Sequence, residues 1–349
     1  MKQISRIALA GVVLAALTTA AQAGPCLTVI LTGTQGGPSV FNGQAGAGTL
    51  VSYGDDSNNC GAMKLQFDAG RGTNMRLSQI NVTPVQLRAI FLTHIHGDHT
   101  EGLPDVMMLR WYLKGPKIDI VCSADAVSTL GFTNSCRNYV SHIADAFLQS
   151  GEIAERRSED SARLAGGPAD LANVVTFDPK EERQVVWSSG DVKVSAIRST
   201  HISGHASYRV DTPAGSVVIG GDASNDVPAP PRAHSTSDQV ERLANGADVI
   251  VHSTIHPVLG PDRGSGFPAQ SFYRQSLASD LGAMAKRAGA KYLMLTHLAP
   301  SLGTARHNRW NVPGGALTEA DYCKAVEAGG FTGTIIVGTD LTTLRLPAK

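Results

Sequence analysis

The most chemically loaded stretch of this chain is Thr93-His94-Ile95-His96-Gly97-Asp98-His99, which packs three imidazoles and a carboxylate into a few residues. Burying such groups for structure alone, with no ionic partner, is energetically costly. Imidazole plus carboxylate without thiolate is a donor set that suits zinc or a similar first-row metal, with one position open to water. This run by itself does not supply enough ligands for two metal sites. Further along, His201, Asp222 and His297 each come just past an apolar, strand-like run, at 192–198, 216–219 and 292–296. That shared position separates them from His142, His234 and His307, which fall in helical or polar loop segments.

To bring such residues together, several strands must end at one place. Apolar runs predict strands at 27–31, 49–53, 64–67, 89–93, 118–122, 174–177, 184–187, 192–198, 207–211, 216–219, 248–251 and 292–296, with 334–337 the last. Helical patterns fall at 85–88, 124–130, 139–147, 239–245 and 276–288. The polar, charged stretch 151–167 reads as part of a mobile insertion around 124–167, and 227–232 and 257–268 read as Pro- and Gly-rich loops. Strands interleaved with helices predict an α/β class, two sheets between helices, in a single domain over 24–349. Sheets of this class place their chemistry at the carboxyl ends of strands, and 89–93 delivers its end to His94.

Bulk properties narrow the function. Lys plus Arg and Asp plus Glu each number 30, so there is no basic excess of the kind a nucleic-acid partner requires. A mean hydropathy of −0.05 argues against a polytopic membrane protein. Lys2 and Arg6, the apolar run 7–17 and the small-residue site Ala21-Gln22-Ala23 form an export signal over 1–23. The mature protein is therefore expected in the periplasm or secreted, with no membrane association. In an oxidising compartment Cys26–Cys60 and Cys122–Cys136 are the favoured disulfides, since each closes a local loop and Cys323 is left over. Spacing alone leaves other pairings open.

The His94–His99 run, Asp68 after a strand, Asp222 in Gly220-Gly221-Asp222 and His297 in Leu295-Thr296-His297 together resemble the metallo-β-lactamase superfamily. Phe67-Asp68-Ala69-Gly70, the run from Thr93 to Asp105, His297-Leu298-Ala299-Pro300 and the closing stretch 333–341 look like its arylsulfatase branch, related to ribonuclease Z. The resemblance implies a four-layer αββα sandwich of two mixed sheets flanked by helices. It implies two zinc ions, with iron or manganese as possible substitutes. His94, His96 and His201 would hold one ion, Asp98, His99 and His297 the other, and Asp222 would bridge them. Asp68 would hydrogen-bond a ligand imidazole. His252, in Val251-His252-Ser253-Thr254, resembles the proton-donating histidine of ribonuclease Z, while His205 and His256 are further candidates for substrate or proton-transfer contacts.

The expected activity is hydrolysis by a metal-bridging hydroxide, with Asp98, Asp222 and His252 catalytic, on a small-molecule ester such as an aryl sulfate. Phosphodiester, lactone or β-lactam hydrolysis at the same centre is the second reading, and a metal-binding protein without turnover a third. Homo-oligomers are compatible with all three.

Overall fold

The computed structural model describes residues 24–307 and 309–346, so the expected export signal at 1–23 lies outside the described residues. The strands are β1 (Pro25–Gly33), β2 (Gly48–Asp55), β3 (Met63–Phe67), β4 (Ala89–Phe91), β5 (Ile118–Ser123), β6 (Ala126–Val127), β7 (Thr133–Asn134), β8 (Ala172–Phe177) and β9 (Gln184–Ser189). They continue as β10 (Val192–Arg198), β11 (Ala206–Thr212), β12 (Gly215–Ile219), β13 (Val249–Ile255), β14 (Tyr292–Ala299), β15 (Arg306–His307), β16 (Trp310–Asn311), β17 (Thr334–Val337) and β18 (Thr343–Leu346). One seven-stranded sheet runs β18-β1-β2-β3-β4-β5-β8, and the other runs β17-β14-β13-β12-β11-β10-β9. Each is mixed: pairs from β18 to β3 are antiparallel and those from β3 to β8 parallel, while β17 to β12 are parallel and β12 to β9 antiparallel.

The two sheets meet through one apolar layer. Leu27, Val29, Phe67 and Phe91 of the first sheet pack on Trp187, Tyr208, Val217 and Met294 of the second. The Phe67 and Phe91 rings stack at 4.7 Å, and Tyr208 meets Phe91 edge-on at 5.6 Å. Burying each such side chain contributes about 1.5–3 kcal/mol. Outside the first sheet lie α1 (Thr73–Gln79), α2 (Gly97–Thr100), α3 (Leu103–Tyr112), α4 (Cys136–Ser141), α5 (Asp145–Gln149) and α6 (Glu152–Glu159), which contribute Leu77, Val106, Trp111, Val140 and Ile153 to a second core. Of α7 (Asp238–Ala244), α8 (Ala269–Tyr273), α9 (Ala278–Ala288) and α10 (Glu319–Glu327), the first, third and fourth bury Val240, Leu281, Met284, Tyr322 and Val326 against the second sheet. This is the four-layer αββα order.

Local structure departs from the sequence expectations where short-range bonds compete with helical periodicity. Residues 124–130 do not form a helix. They enter the β6–β7 hairpin, closed by Ser128 N–H to the Phe132 carbonyl at 2.7 Å and by Gly131 at φ +82°. The expected helix 139–147 is split into α4 and α5, with Asp145 taking His142 Nδ1 at 2.6 Å in between. Within 151–167, α6 forms around buried Ile153 and is braced by Arg156 ion pairs to Glu152 and Glu159. Residues 85–88 contribute only the end of the 3-10 turn Pro84–Gln86. Finally, 334–337 is not the last strand, because β18 returns to pair with β1.

Both expected disulfides, Cys26–Cys60 and Cys122–Cys136, are present, and Cys323 is a free, half-buried thiol whose pKa burial pushes up. Denatured but unreduced protein is therefore expected to show one reactive thiol of the five. Thiol titration finding five would remove both bonds.

Candidate metal centre

The strand directions explain why the donors meet. β3 and β4 are parallel, so Asp68 after β3 and His94 after β4 emerge at one edge. β10 is antiparallel to β11, which is antiparallel to β12, so β10 runs with β12 and delivers His201 to the same rim as Asp222. His297 arrives differently. It lies inside β14, not past its end, where the register with β13 slips between Ser253 and Thr254. With φ at +47°, His297 is the extra residue of a bulge, which turns its side chain out of the ladder. Asp98 and His99 ride on the single turn α2, closed by His99 N–H to the His96 carbonyl at 3.0 Å.

Three donor sets converge: His94, His96 and His201; His94, His99 and Asp222; and Asp98, His99 and His297, with the donor atoms of each set within 4.8 Å of one another. His94 Nε2 faces His96 Nδ1 at 2.9 Å, and His297 Nε2 faces Asp98 Oδ2 at 3.1 Å. Asp222 lies between these groups, its Oδ2 3.5 Å from His99 Nε2, 3.7 Å from His201 Nε2 and 3.4 Å from His297 Nε2. His99 Nε2, His201 Nδ1 and Asp222 Oδ1 are buried without a hydrogen-bond partner. Buried polar atoms left unmatched inside a cluster of nitrogen and carboxylate donors are what a pair of first-row metal ions would satisfy. The residues present therefore fit a dinuclear centre.

The electrostatics agree. Burial alone would raise the Asp98 carboxyl, but the hydrogen bond and charge of His297, with the charge of His99, hold it down at about 2. Asp222 is likewise held well below the usual carboxylate range against its burial, by His297 and His99. In return the carboxylates raise His99 and His297 above ordinary histidine although burial opposes it, with Asp222 the leading attraction in both. Burial pushes His94 and His96 down, and His201 to about 4. The carboxylates demand positive charge while one face of imidazoles stays neutral and able to coordinate.

Asp68 orients this machinery. Its carboxylate accepts from Thr93 N–H and Thr93 Oγ1, both at 2.8 Å, and takes His99 Nδ1 at 2.8 Å. Nδ1 therefore carries a proton on the Asp68 side, and Nε2 would offer its lone pair to a bound metal ion. Gly221 is required beside it. At φ +60°, a Cβ there would lie 2.9 Å from His205 Nε2 and 3.0 Å from the Thr93 side chain.

Residues 57–256 match the family described as anti-Pycsar protein Apyc1. The chain belongs to that family. It is a metal-dependent hydrolase of the metallo-β-lactamase superfamily, related to ribonuclease Z. Ribonuclease Z of Mycobacterium bovis (strain BCG / Pasteur 1173P2) is 27% identical over 304 residues, covering 85% of this chain and 91% of the relative. The metallo-β-lactamase fold protein YhfI of Bacillus subtilis superposes with a TM-score of 0.57 at 16% identity, over 92% of this chain and 99% of that one. A diphosphatase of the PhnP family superposes at 0.53 with 14% identity, over 92% and 97%.

In this member of the Apyc1 family the remaining histidines fall into distinct places. His205 is almost fully buried and borders the same cleft as His96 and His201. Its Nε2 accepts from Asp222 N–H at 3.2 Å, and its Nδ1 lies 2.8 Å from Ser199 Oγ, which continues to Ser207 and the Gly220 carbonyl. It therefore braces the Asp222 loop. His256 Nδ1 caps the next turn through Val258 N–H at 3.1 Å, and its ring packs edge-on against Tyr322 of α10 at 5.1 Å. His252 lies within β13, not past its end, wholly buried, with Nδ1 on the Ser253 carbonyl at 2.7 Å and Nε2 unpartnered. Burial lowers its pKa. Thr93 and the Ser199–Ser207 pair are supporting residues that sequence reasoning missed, although Thr93 adjoins the motif.

Asp68→Asn is expected to lower metal affinity or turnover roughly 10–100-fold, because the His99 tautomer loses its anchor. Metal titration of the variant checks this, and unchanged affinity together with an unchanged rate would show that Asp68 serves packing only.

Proposed function

We propose that the chain hydrolyses small-molecule phosphodiesters with two zinc ions. The observation that carries this reading is a pair of three-residue donor sets joined by Asp222, one wholly buried and one opening through His96 and His201 into a cleft of about 870 Å³. That volume suits a small ligand. Zinc fits a donor set of imidazole and carboxylate without thiolate. Bound there, two such ions polarise an ester oxygen and lower the pKa of a water from about 15.7 towards 7. The chain's own residues do the rest. Asp222 holds the two halves of the site in register, Asp68 locks His99, and His205 fixes the Asp222 loop. His252, its Nδ1 tied to the Ser253 carbonyl and its Nε2 buried without a protein partner, would protonate the departing oxygen.

Sulfate monoesters and phosphodiesters are both singly charged and tetrahedral, so the same donors serve either. The ribonuclease and diphosphatase relatives favour phosphorus. The balanced charge supports a small substrate over nucleic acid. Export to the periplasm is supported by two disulfides together with the signal-like residues 1–23.

Bis(p-nitrophenyl) phosphate, p-nitrophenyl sulfate, a lactone and a chromogenic cephalosporin should be compared on purified protein assayed for metal. The phosphodiester is expected to be turned over fastest, with about two divalent ions per chain, and dialysis against chelator should abolish the rate. Preference for the sulfate restores the arylsulfatase reading. Metal-free protein with full activity overturns the mechanism.

A further inference from the structure

Asp125, Asp178, Arg198 and Arg274 border the cleft, and two of them are already engaged. Arg198 is tied to Glu181 and Asp226, and Asp125 accepts from Ser135 Oγ at 2.6 Å. Arg274 differs. Its guanidinium lines the cleft, is exposed, and among the described residues makes no ion pair and donates no side-chain hydrogen bond. It shares the cleft with His96 and His201. It is also held in place. It caps α8, which is anchored by buried Phe272, and two residues later Ser276 Oγ donates to the carbonyl of Ala223, next to Asp222, at 2.8 Å.

The β6–β7 hairpin lines the same cleft with Leu130, 80% exposed, and Phe132, 67% exposed. Large apolar groups left in water beside a site are unusual unless something covers them. The hairpin is fastened to the site, since Asn134 Nδ2 donates to the Ser203 carbonyl at 2.9 Å in the His201–His205 loop and its base adjoins the Cys122–Cys136 bond.

We propose that Arg274 is the substrate-anion clamp of this hydrolase and that Leu130 and Phe132 form the wall for an aromatic or apolar ester group, so that the preferred substrate is an anionic ester carrying a ring. The proposal rests on the hydrolase reading and deepens it by assigning specificity to residues outside the metal ligands. Guanidinium donates paired hydrogen bonds to a tetrahedral oxyanion, and a phenyl ring receives an aromatic group face-on or edge-on.

The test is binding, measured by calorimetry on the metal-loaded protein with phenylphosphonate and with inorganic phosphate. Arg274→Ala should weaken both ligands roughly 10–100-fold, and Arg274→Lys should recover part of the loss. Phe132→Ala should weaken phenylphosphonate about 2–10-fold and leave phosphate unchanged. Both side chains are exposed, so unaltered circular dichroism is expected in the variants. Unchanged affinity for both ligands in Arg274→Ala overturns the clamp, and equal losses of both ligands in Phe132→Ala overturn the wall. Arg274-dependent binding in a protein that cleaves no phosphodiester would support the clamp while removing the proposed activity.

Discussion

Asp222→Asn is expected to cut turnover by on the order of 10³-fold or more, the largest loss of any single conservative change in this protein. Oδ2 of Asp222 lies within 3.4–3.7 Å of His99, His201 and His297, so one carboxylate is shared by both halves of the centre. Its other oxygen is buried without a partner, which leaves it available to a second ion. Asparagine keeps the shape but removes the charge and one acceptor. The raised proton affinities of His99 and His297, both led by Asp222 among their attractions, should relax towards ordinary values in the metal-free variant. Metal content must be measured beside the rate. A near-normal rate with both ions retained would show that Asp222 is not the shared ligand.

The second large effect is a change in leaving-group dependence. A departing oxygen that receives a proton in the transition state carries little charge, so its basicity matters little. With His252 as donor, rates across aryl phosphodiesters should fall only gently as the phenol pKa rises. His252→Ala should steepen that slope, with losses of roughly 10²–10⁴-fold for the most basic phenols and almost none for the most acidic. The structure supplies a reason to run the experiment. The His252 Nδ1 is committed to the Ser253 carbonyl, and Nε2 is held without a partner inside the protein, an arrangement costly to maintain for packing alone. It also supplies the rival outcome, because the ring is fully buried against Gly220. If the alanine variant lowers every rate by one common factor with both metals bound, His252 supports the Gly220–Asp222 turn and gives no proton.

Much of this site was legible because its signals are local. Within His94–His99 the residue types alone identify metal donors, and the apolar runs located the main strands that carry them. The two cysteine pairs followed from loop length. Errors collected where a short polar bond outweighs periodicity, as at the β6–β7 hairpin, or where charged residues mask a helix, as in α6.

What the sequence determined was the kind of donors and the strands that deliver them; the folded structure decided which donors meet. Asp98 and His297 stand 3.1 Å apart across 199 residues, a contact that depends on two sheets turning the carboxyl ends of their strands to one rim. Only the register slip in β14 shows that His297 is aimed by a bulge, and only packing reveals His205 as a brace for Asp222, His256 as facing α10 and Arg274 as bordering the cleft. Side-chain patterns repeat over two or four residues and so report local conformation. Convergence depends on the relative direction of strands far apart in the chain, which is set by how the apolar faces of both sheets close on one core.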